Sequence, residues 1–423
     1  MSDKSRIYLE RYAYPKRYLD HKPHPDTQVV VVIPCYDEPD LVGSLQSIQN
    51  CEMPCPVEVI VVINASESSA EEIKQRNQTS YEQAVSWRSN QPDSFITFHF
   101  ILENNLPTKH AGVGLARKIG MDEAVRLFDT IDKPEGVILC YDADCRCQPN
   151  LLKGVYDFFE KNDKSPGCSI HYEHPLEGYL SEQHYSAIIN YELHLRYYIN
   201  ALQYANYPYA YHTIGSSMAA RSSAYQKQGG MNRRKAGEDF YFLHKIIPLG
   251  NFGKVNSTAI YPSARASHRV PFGTGRAVGQ WLDSGEYEFM TYDPAIFENL
   301  KIFIDSVDSL FGNQSDETLN TWPEIILSFL REQSFDKKLL EINKQSTSLE
   351  AFRKRFFQWF DGFKVLKYVH FARNNQFPNV SIEQVIKWLF TELGLEKERG
   401  LKKNLITLRK YDKGKAETKR AYP

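Results

Sequence analysis

Asp142 and Asp144 close a short apolar run, Val137-Ile138-Leu139-Cys140, within the stretch GVILCYDADCRCQPN at residues 136–150. A run of that length reads as a buried strand of a parallel sheet. Ionised carboxylates placed where such a strand leaves the core are costly unless something pairs with them. If the backbone stays extended, a spacing of two turns both side chains the same way. Two convergent carboxylates suit a hard divalent cation, Mg²⁺ or Mn²⁺, which keeps open positions for substrate phosphates. Solvated turn or cap residues produce the same short pattern, so the surrounding elements have to decide.

Those elements alternate. The β-branched run Val29–Ile33, stopped by Pro34, reads as a central strand, and a loop, Pro34–Pro39, leads into a helix with Leu41, Leu45 and Ile48 on one face. Val57–Ile63 is a second buried strand, exiting into Asn64, and Ser69-Ala70-Glu71-Glu72 has the acidic first turn of a helix. Phe95–Leu102 fits a third strand; Lys109–Gly114 is the next loop and Leu115–Phe128 an amphipathic helix. Strand, loop and helix repeat up to Asp144, which predicts a doubly wound, mainly parallel α/β sheet with ligands bound along the edge where strands exit. Neither a G-x-x-x-x-G-K-[ST] phosphate loop nor G-x-G-x-x-G is present, which disfavours a kinase or a dinucleotide oxidoreductase.

Taken together, these loops resemble the family 2 glycosyltransferases, whose fold is GT-A. VVVVIPCYDEPDLVGSLQSI is similar to that family's first strand and its Pro-x-Tyr-Asn-Glu loop, here Pro34, Tyr36, Asp37 and Glu38. VEVIVVINAS stands where the family has a second strand and an acidic residue for base or ribose; this chain has Asn64 there instead. KHAGVGLARKIGMDEA is similar to the Gly-rich segment followed by Ala-Arg-Asn, with Gly112, Gly114, Ala116, Arg117 and Lys118, and CYDADCRCQPNLL to the metal-binding Asp-x-Asp strand end. The resemblance spans about residues 28–270. It implies that Asp142 and Asp144 hold Mn²⁺ or Mg²⁺, with Asp142 also facing the donor diphosphate. It further implies donor contacts from Pro34, Tyr36, Asp37, Glu38, Asn64, Lys109, Gly112 and Arg117.

Farther along, Ala236-Gly237-Glu238-Asp239-Phe240 is similar to the family's Glu-Asp motif, in which a carboxylate at a helix start deprotonates the acceptor hydroxyl. Asp239 is the expected base and Glu238 the second choice; both residues also suit a helix N-terminus electrostatically. In ARASHRVPFGTGR (264–276), related enzymes have a closing loop, which makes His268 a metal ligand and Arg269 and Arg276 diphosphate partners, with Gly273 and Gly275 permitting closure. Ser181–Ala205 reads as a long Tyr-rich helix, and residues 169–180 before it as loop.

Residues 1–27 read as an irregular arm, 28–276 as the catalytic domain, and 277–423 as a helical region ending in a basic tail that includes Lys402, Lys403, Arg409 and Lys410. That tail suits anionic lipid and a lipid-linked acceptor as well as it suits plain solvation. Net charge is −1, which gives no electrostatic case for nucleic acid. Seven cysteines form no regular framework and are expected to be reduced thiols. With no apolar signal region and no membrane-length apolar window, a cytoplasmic protein is expected, in contact with the inner face of a membrane if the tail engages lipid.

The expectation is therefore a metal-dependent transferase moving a sugar from a nucleotide-sugar donor to a sugar or lipid-linked acceptor hydroxyl. Inversion follows from an in-line attack, whereas the His268 loop also occurs in retaining relatives. Two rivals stay open: a nucleotidyltransferase on a related fold, and a non-catalytic nucleotide-binding scaffold, to which Asn64 lends support.

Overall fold

The computed structural model describes residues 3–92, 94–267, 273–284, 288–312 and 321–414. Two compact units divide it: the described residues of 3–179, 213–279 and 411–414 form the first, and those of 180–212 and 280–410 the second.

In the first unit the chain runs α1 (Asp3–Arg11), β1 (Val29–Cys35), α2 (Leu41–Gln49), β2 (Val57–Ser66), α3 (Glu71–Ser89), β3 (Ile96–Leu106), α4 (Val113–Thr130), β4 (Val137–Cys140), β5 (Arg146–Cys147), α5 (Leu151–Lys161) and β6 (Gly167–Tyr172). After α6 (Glu182–Tyr204) of the second unit it resumes with β7 (Met218–Arg221), α7 (Ser222–Lys227), α8 (Glu238–Ile246) and β8 (Gly253–Tyr261). The strands make one sheet in the order β3-β2-β1-β4-β7-β6-β8-β5. β3, β2, β1 and β4 are mutually parallel, β7 is antiparallel to both β4 and β6, and β6 and β8 are again parallel. This is a mixed, mainly parallel sheet with an antiparallel strand, β7, inside it.

Helices cover both faces, which is why β1 and β2 are apolar at nearly every position. Val29, Val31, Ile33, Val57, Val59 and Val61 join Leu41, Leu45 and Ile48 of α2 and Leu151, Leu152 and Val155 of α5 in one core. On the other face α4 lies so close that a Cβ on Gly120 would collide with Val32 and press on Val62.

Three expectations need correction. β1 does not stop at Pro34: the strand passes through it to Cys35, since the ring's φ is compatible with extended backbone and only one ladder donor is lost. Residues 167–172, read partly as loop, are the buried strand β6, whose Ser169 and His171 interrupt the apolar pattern; His171 is satisfied by Glu173 at 2.9 Å. The N-terminal arm is not irregular throughout. It starts with α1, and its following extended stretch is bound to two α4 carboxylates with no solvent exposure, Asp122 and Glu123. Asp122 accepts from the Tyr8 hydroxyl (2.6 Å), the Tyr225 hydroxyl (2.8 Å) and the Tyr14 N–H (2.7 Å), and pairs with Lys118 (3.0 Å). Glu123 accepts from the N–H groups of Tyr18 and Leu19 at 3.2 Å each and from Arg126 at 2.6 Å.

The second unit is helical. Tyr197 of α6 is buried, donates to the Tyr292 carbonyl at 2.9 Å and packs on Phe297. The basic segment after Glu396 is a helix, Leu401–Gly414, with Leu405 and Leu408 buried. Its Arg409 is no solvated tail cation. It donates to Glu192 of α6 at 2.8 and 2.5 Å, beside Arg196, which donates to the same carboxylate. No helix among the described residues is long and apolar enough to cross a membrane.

Candidate active site

The parallel strands β1, β2 and β4 deliver their C-terminal ends to one edge, where Asp37, Asn64 and Asp142 follow or close them. Arg117, early in α4 and only 1 % exposed, is the hub. Its guanidinium donates to Asp142 Oδ1 at 2.5 Å and to Glu238 Oε1, so the exit of β4 and the start of α8 share one cation. Placing an arginine in the core is tolerable only because two carboxylates meet it. Its Nε–H remains without a partner. The guanidinium also explains Gly215: a Cβ there would lie 2.6 Å from Nη1.

Glu238 is buried, and burial pushes its carboxyl up to about 7 against the opposing pull of Arg117. Neighbouring Asp239 is half-buried; its carboxylate accepts from the Phe240 N–H at 2.7 Å and has the backbone of Gly215 as a further partner. Burial raises its pKa as well. Gly237, at φ 70°, takes the left-handed conformation that starts the helix here, with Glu238 next to it against Arg117. Asp142 keeps 35 % of its side chain exposed, with one carboxylate oxygen engaged by Arg117; Asp144 is half-buried two residues on.

The remaining candidates fall into distinct surroundings. Glu38, 2 % exposed, is held by Arg265, whose Nη2 lies 2.8 Å from both carboxylate oxygens. Asp37, at φ 52°, receives a two-point contact from Arg76 at 2.5 and 3.0 Å. Asn64 is buried, and its carbonyl accepts from Asn77 at 3.0 Å. Asn77 also holds the Asp37 N–H and Asn104, tying the exits of β1, β2 and β3 together. Pro34 lies within β1, and Tyr36 is half-buried just beyond it. Lys109 is exposed, and among the described residues it makes no ion pair. At Gly112 the near neighbour is protein, since a Cβ would stand 2.9 Å from Lys235 Cα; Gly114 likewise lets the Arg234 carbonyl approach. Arg276 is on the helix Thr274–Ser284, and His268 and Arg269 lie outside the described residues.

Sequence reasoning missed Arg265, Arg76, Asn77 and Gly215. The Glu38–Arg265 pair spans 227 positions, a separation for which a single sequence carries no signal. Gly215 had a weak one, being a glycine beside small residues before a strand.

For a divalent cation the donor set fits in kind: Asp142 and Asp144 would offer hard carboxylate oxygens at the half-buried turn after β4, and one Asp142 oxygen is not taken by Arg117.

No family model and no curated protein matches the chain. Among solved structures it is similar to Staphylococcus aureus TarS residues 1–349 in complex with UDP-GlcNAc, at 14% identity over 88% of this chain and 93% of that one, with a TM-score of 0.38. The UDP complex of the same fragment gives 13% identity, the same coverage and 0.36. A longer TarS structure gives 12% identity over 82% of this chain and 55% of that one, with 0.35.

Proposed function

We propose that the chain is a metal-dependent glycosyltransferase that moves a sugar from a nucleotide-sugar donor to a hydroxyl of a sugar or lipid-linked acceptor. The observation that carries this reading is Arg117, which binds the aspartate at the exit of β4 and the acid at the start of α8 at once. A buried cation spent on joining these two acidic segments is costly for a fold that needs neither. It makes sense where a donor-binding edge and a proton acceptor must keep a fixed spacing.

In this mechanism Asp142 and Asp144 would hold Mg²⁺ or Mn²⁺, which when bound acts as a Lewis acid on the departing diphosphate. Lys109 adds a point charge to the same phosphates. Asp37 and Tyr36 border the nucleoside, with Arg76 fixing the Asp37 carboxylate. Asp239 takes the proton of the acceptor hydroxyl as that oxygen bonds to the anomeric carbon; the bond to the diphosphate breaks and its electron pair leaves with the nucleotide. A raised pKa makes Asp239 a better base than an ordinary aspartate. Glu238 and Arg117 are positioning residues. In-line attack by the hydroxyl inverts the anomeric centre.

The test is a thermal-shift screen of the purified chain against UDP, GDP, CMP, dTDP and ADP, each with and without Mn²⁺. A ligand at ~100 times its dissociation constant adds about 2.7 kcal/mol. A Mn²⁺-dependent shift with one diphosphate, lost in Asp144→Ala, is expected. No shift with any nucleotide overturns the reading, and with it the nucleotide-binding scaffold that Asn64 supports.

A further inference from the structure

At the opposite end of the same strands lies a second group of ligand-type side chains that the transferase reading does not use. Glu58 is the second residue of β2 and His99 the fourth of β3; in the parallel register Glu58 faces Thr97 and Ile60 faces His99. Side chains two apart on a strand share a face, so Glu58 and His99 stand diagonally on the α4 side of the sheet. The Glu58 side chain is 3 % exposed and that of His99 12 %. Into this corner the N-terminal arm inserts His21, two residues after Leu19 is anchored on Glu123. His99 Nε2 is 2.6 Å from Glu58 Oε2, His21 Nε2 is 3.5 Å from Glu58 Oε1, and the two rings stand 4.8 Å apart. One ligand atom from each residue falls within 4.8 Å of the others, and among the described residues this is the one such trio. His21 Nε2 is shielded from solvent and has no hydrogen-bond partner.

We propose that His21, Glu58 and His99 form a three-ligand zinc site that pins the arm to β2 and β3. Imidazole and carboxylate ligands at ~2.0–2.1 Å from a tetrahedral Zn²⁺ stand about 3.3 Å from one another. The spread of the trio brackets that figure, so small side-chain rotations assemble the site. Two imidazoles and one carboxylate form a borderline set that favours Zn²⁺ over Mg²⁺ or Ca²⁺. The cation answers two costs at once, the buried Glu58 charge and the unpartnered His21 nitrogen. The fourth position is open to water. The ligands come from the arm and from two strands, so zinc closes the chain between residues 21 and 58 much as a cross-link does.

The test strips the full chain with EDTA, removes the chelator, and titrates with ZnCl₂ against a chromogenic zinc indicator. One equivalent of zinc is expected. His21→Ala and His99→Gln are each expected to weaken uptake at least tenfold while circular dichroism stays unchanged; the glutamine keeps a polar partner for Glu58. Asp144→Ala is expected to leave this equivalent intact, which separates it from any metal at the β4 exit. Because the readout is zinc uptake, it is independent of whether the nucleotide screen succeeds. No zinc uptake by the wild-type chain, or uptake unaltered in both histidine variants, overturns the site and leaves the trio as a hydrogen-bonded carboxylate–imidazole cluster.

Discussion

Arg117 satisfies Glu238, a buried acid with little other recourse, so its loss is felt in the fold as well as the chemistry. Arg117→Met fills similar volume but strands Glu238 in the core, and breaking such a buried pair costs about 3–5 kcal/mol. Urea unfolding should show that drop, and Arg117→Met, Glu238→Met together should recover much of it. Glu238 also sets a pH dependence. Its carboxyl is held up to about 7 by burial, against an ordinary 4.5, so between those values the folded chain binds more protons than the unfolded one. Stability therefore falls as pH rises from about 4.5 to 7, by at most about 1.4 kcal/mol per pH unit, and levels off above. Glu238→Gln should flatten that segment of the profile measured by denaturant midpoints. Asp239 separates catalysis from binding: Asp239→Asn should lower kcat by at least a hundredfold, a typical share for general-base catalysis, while the nucleotide-induced thermal shift persists. A variant with undiminished turnover would remove Asp239 from the base role.

At the scale of elements, helix α4 carries much of the molecule's logic. It packs on β1 and β2 through Gly120, presents Arg117 to the site and offers Asp122 and Glu123 to the arm. Gly120→Ala adds a methyl group where Val32 already sits, and overpacking of this kind costs about 1–3 kcal/mol; the unfolding midpoint should fall accordingly. How much of this was legible depended on whether the signal was local. The runs 29–33, 57–63 and 137–140 announce buried parallel strands, because both faces must be apolar, and the alternation with helices announces the sheet. The aspartates at the β4 exit and the acids at the start of α8 could be picked out because each pair lies at one end of an element. Asp122 and Glu123, by contrast, look like ordinary helix-surface charges until the arm covers them. Glu38 looks like a loop acid until Arg265 arrives from 227 positions away. Gly112 looks like any loop glycine until the backbone of Lys235 comes to fill the place of its Cβ. Such cases depend on tertiary contact, which pattern and spacing do not encode.

At the scale of the whole molecule, the two units hide their charges in similar ways. In the first, a polar arm of tyrosines satisfies the α4 carboxylates; in the second, Arg409 and Arg196 converge on Glu192. Removing residues 1–20 should therefore destabilise far more than an exposed terminus would, because Asp122 loses the donors at Tyr8 and Tyr14 and Glu123 those at Tyr18 and Leu19. A loss of about 3–5 kcal/mol, typical of an uncompensated buried charge, is expected in urea titrations. Wild-type stability in the truncated chain would show that the arm's hydrogen bonds replace water at no net gain.

The arm also imposes an order on the making of the protein. Tyr8 and Tyr18 leave the ribosome more than a hundred residues ahead of their acceptors, with separations of 114 and 105 positions. At the ~5–20 residues per second of synthesis, that gap is roughly 5–20 s. The arm is thus made well before the helix it docks on. During that interval its tyrosines are open to chaperones.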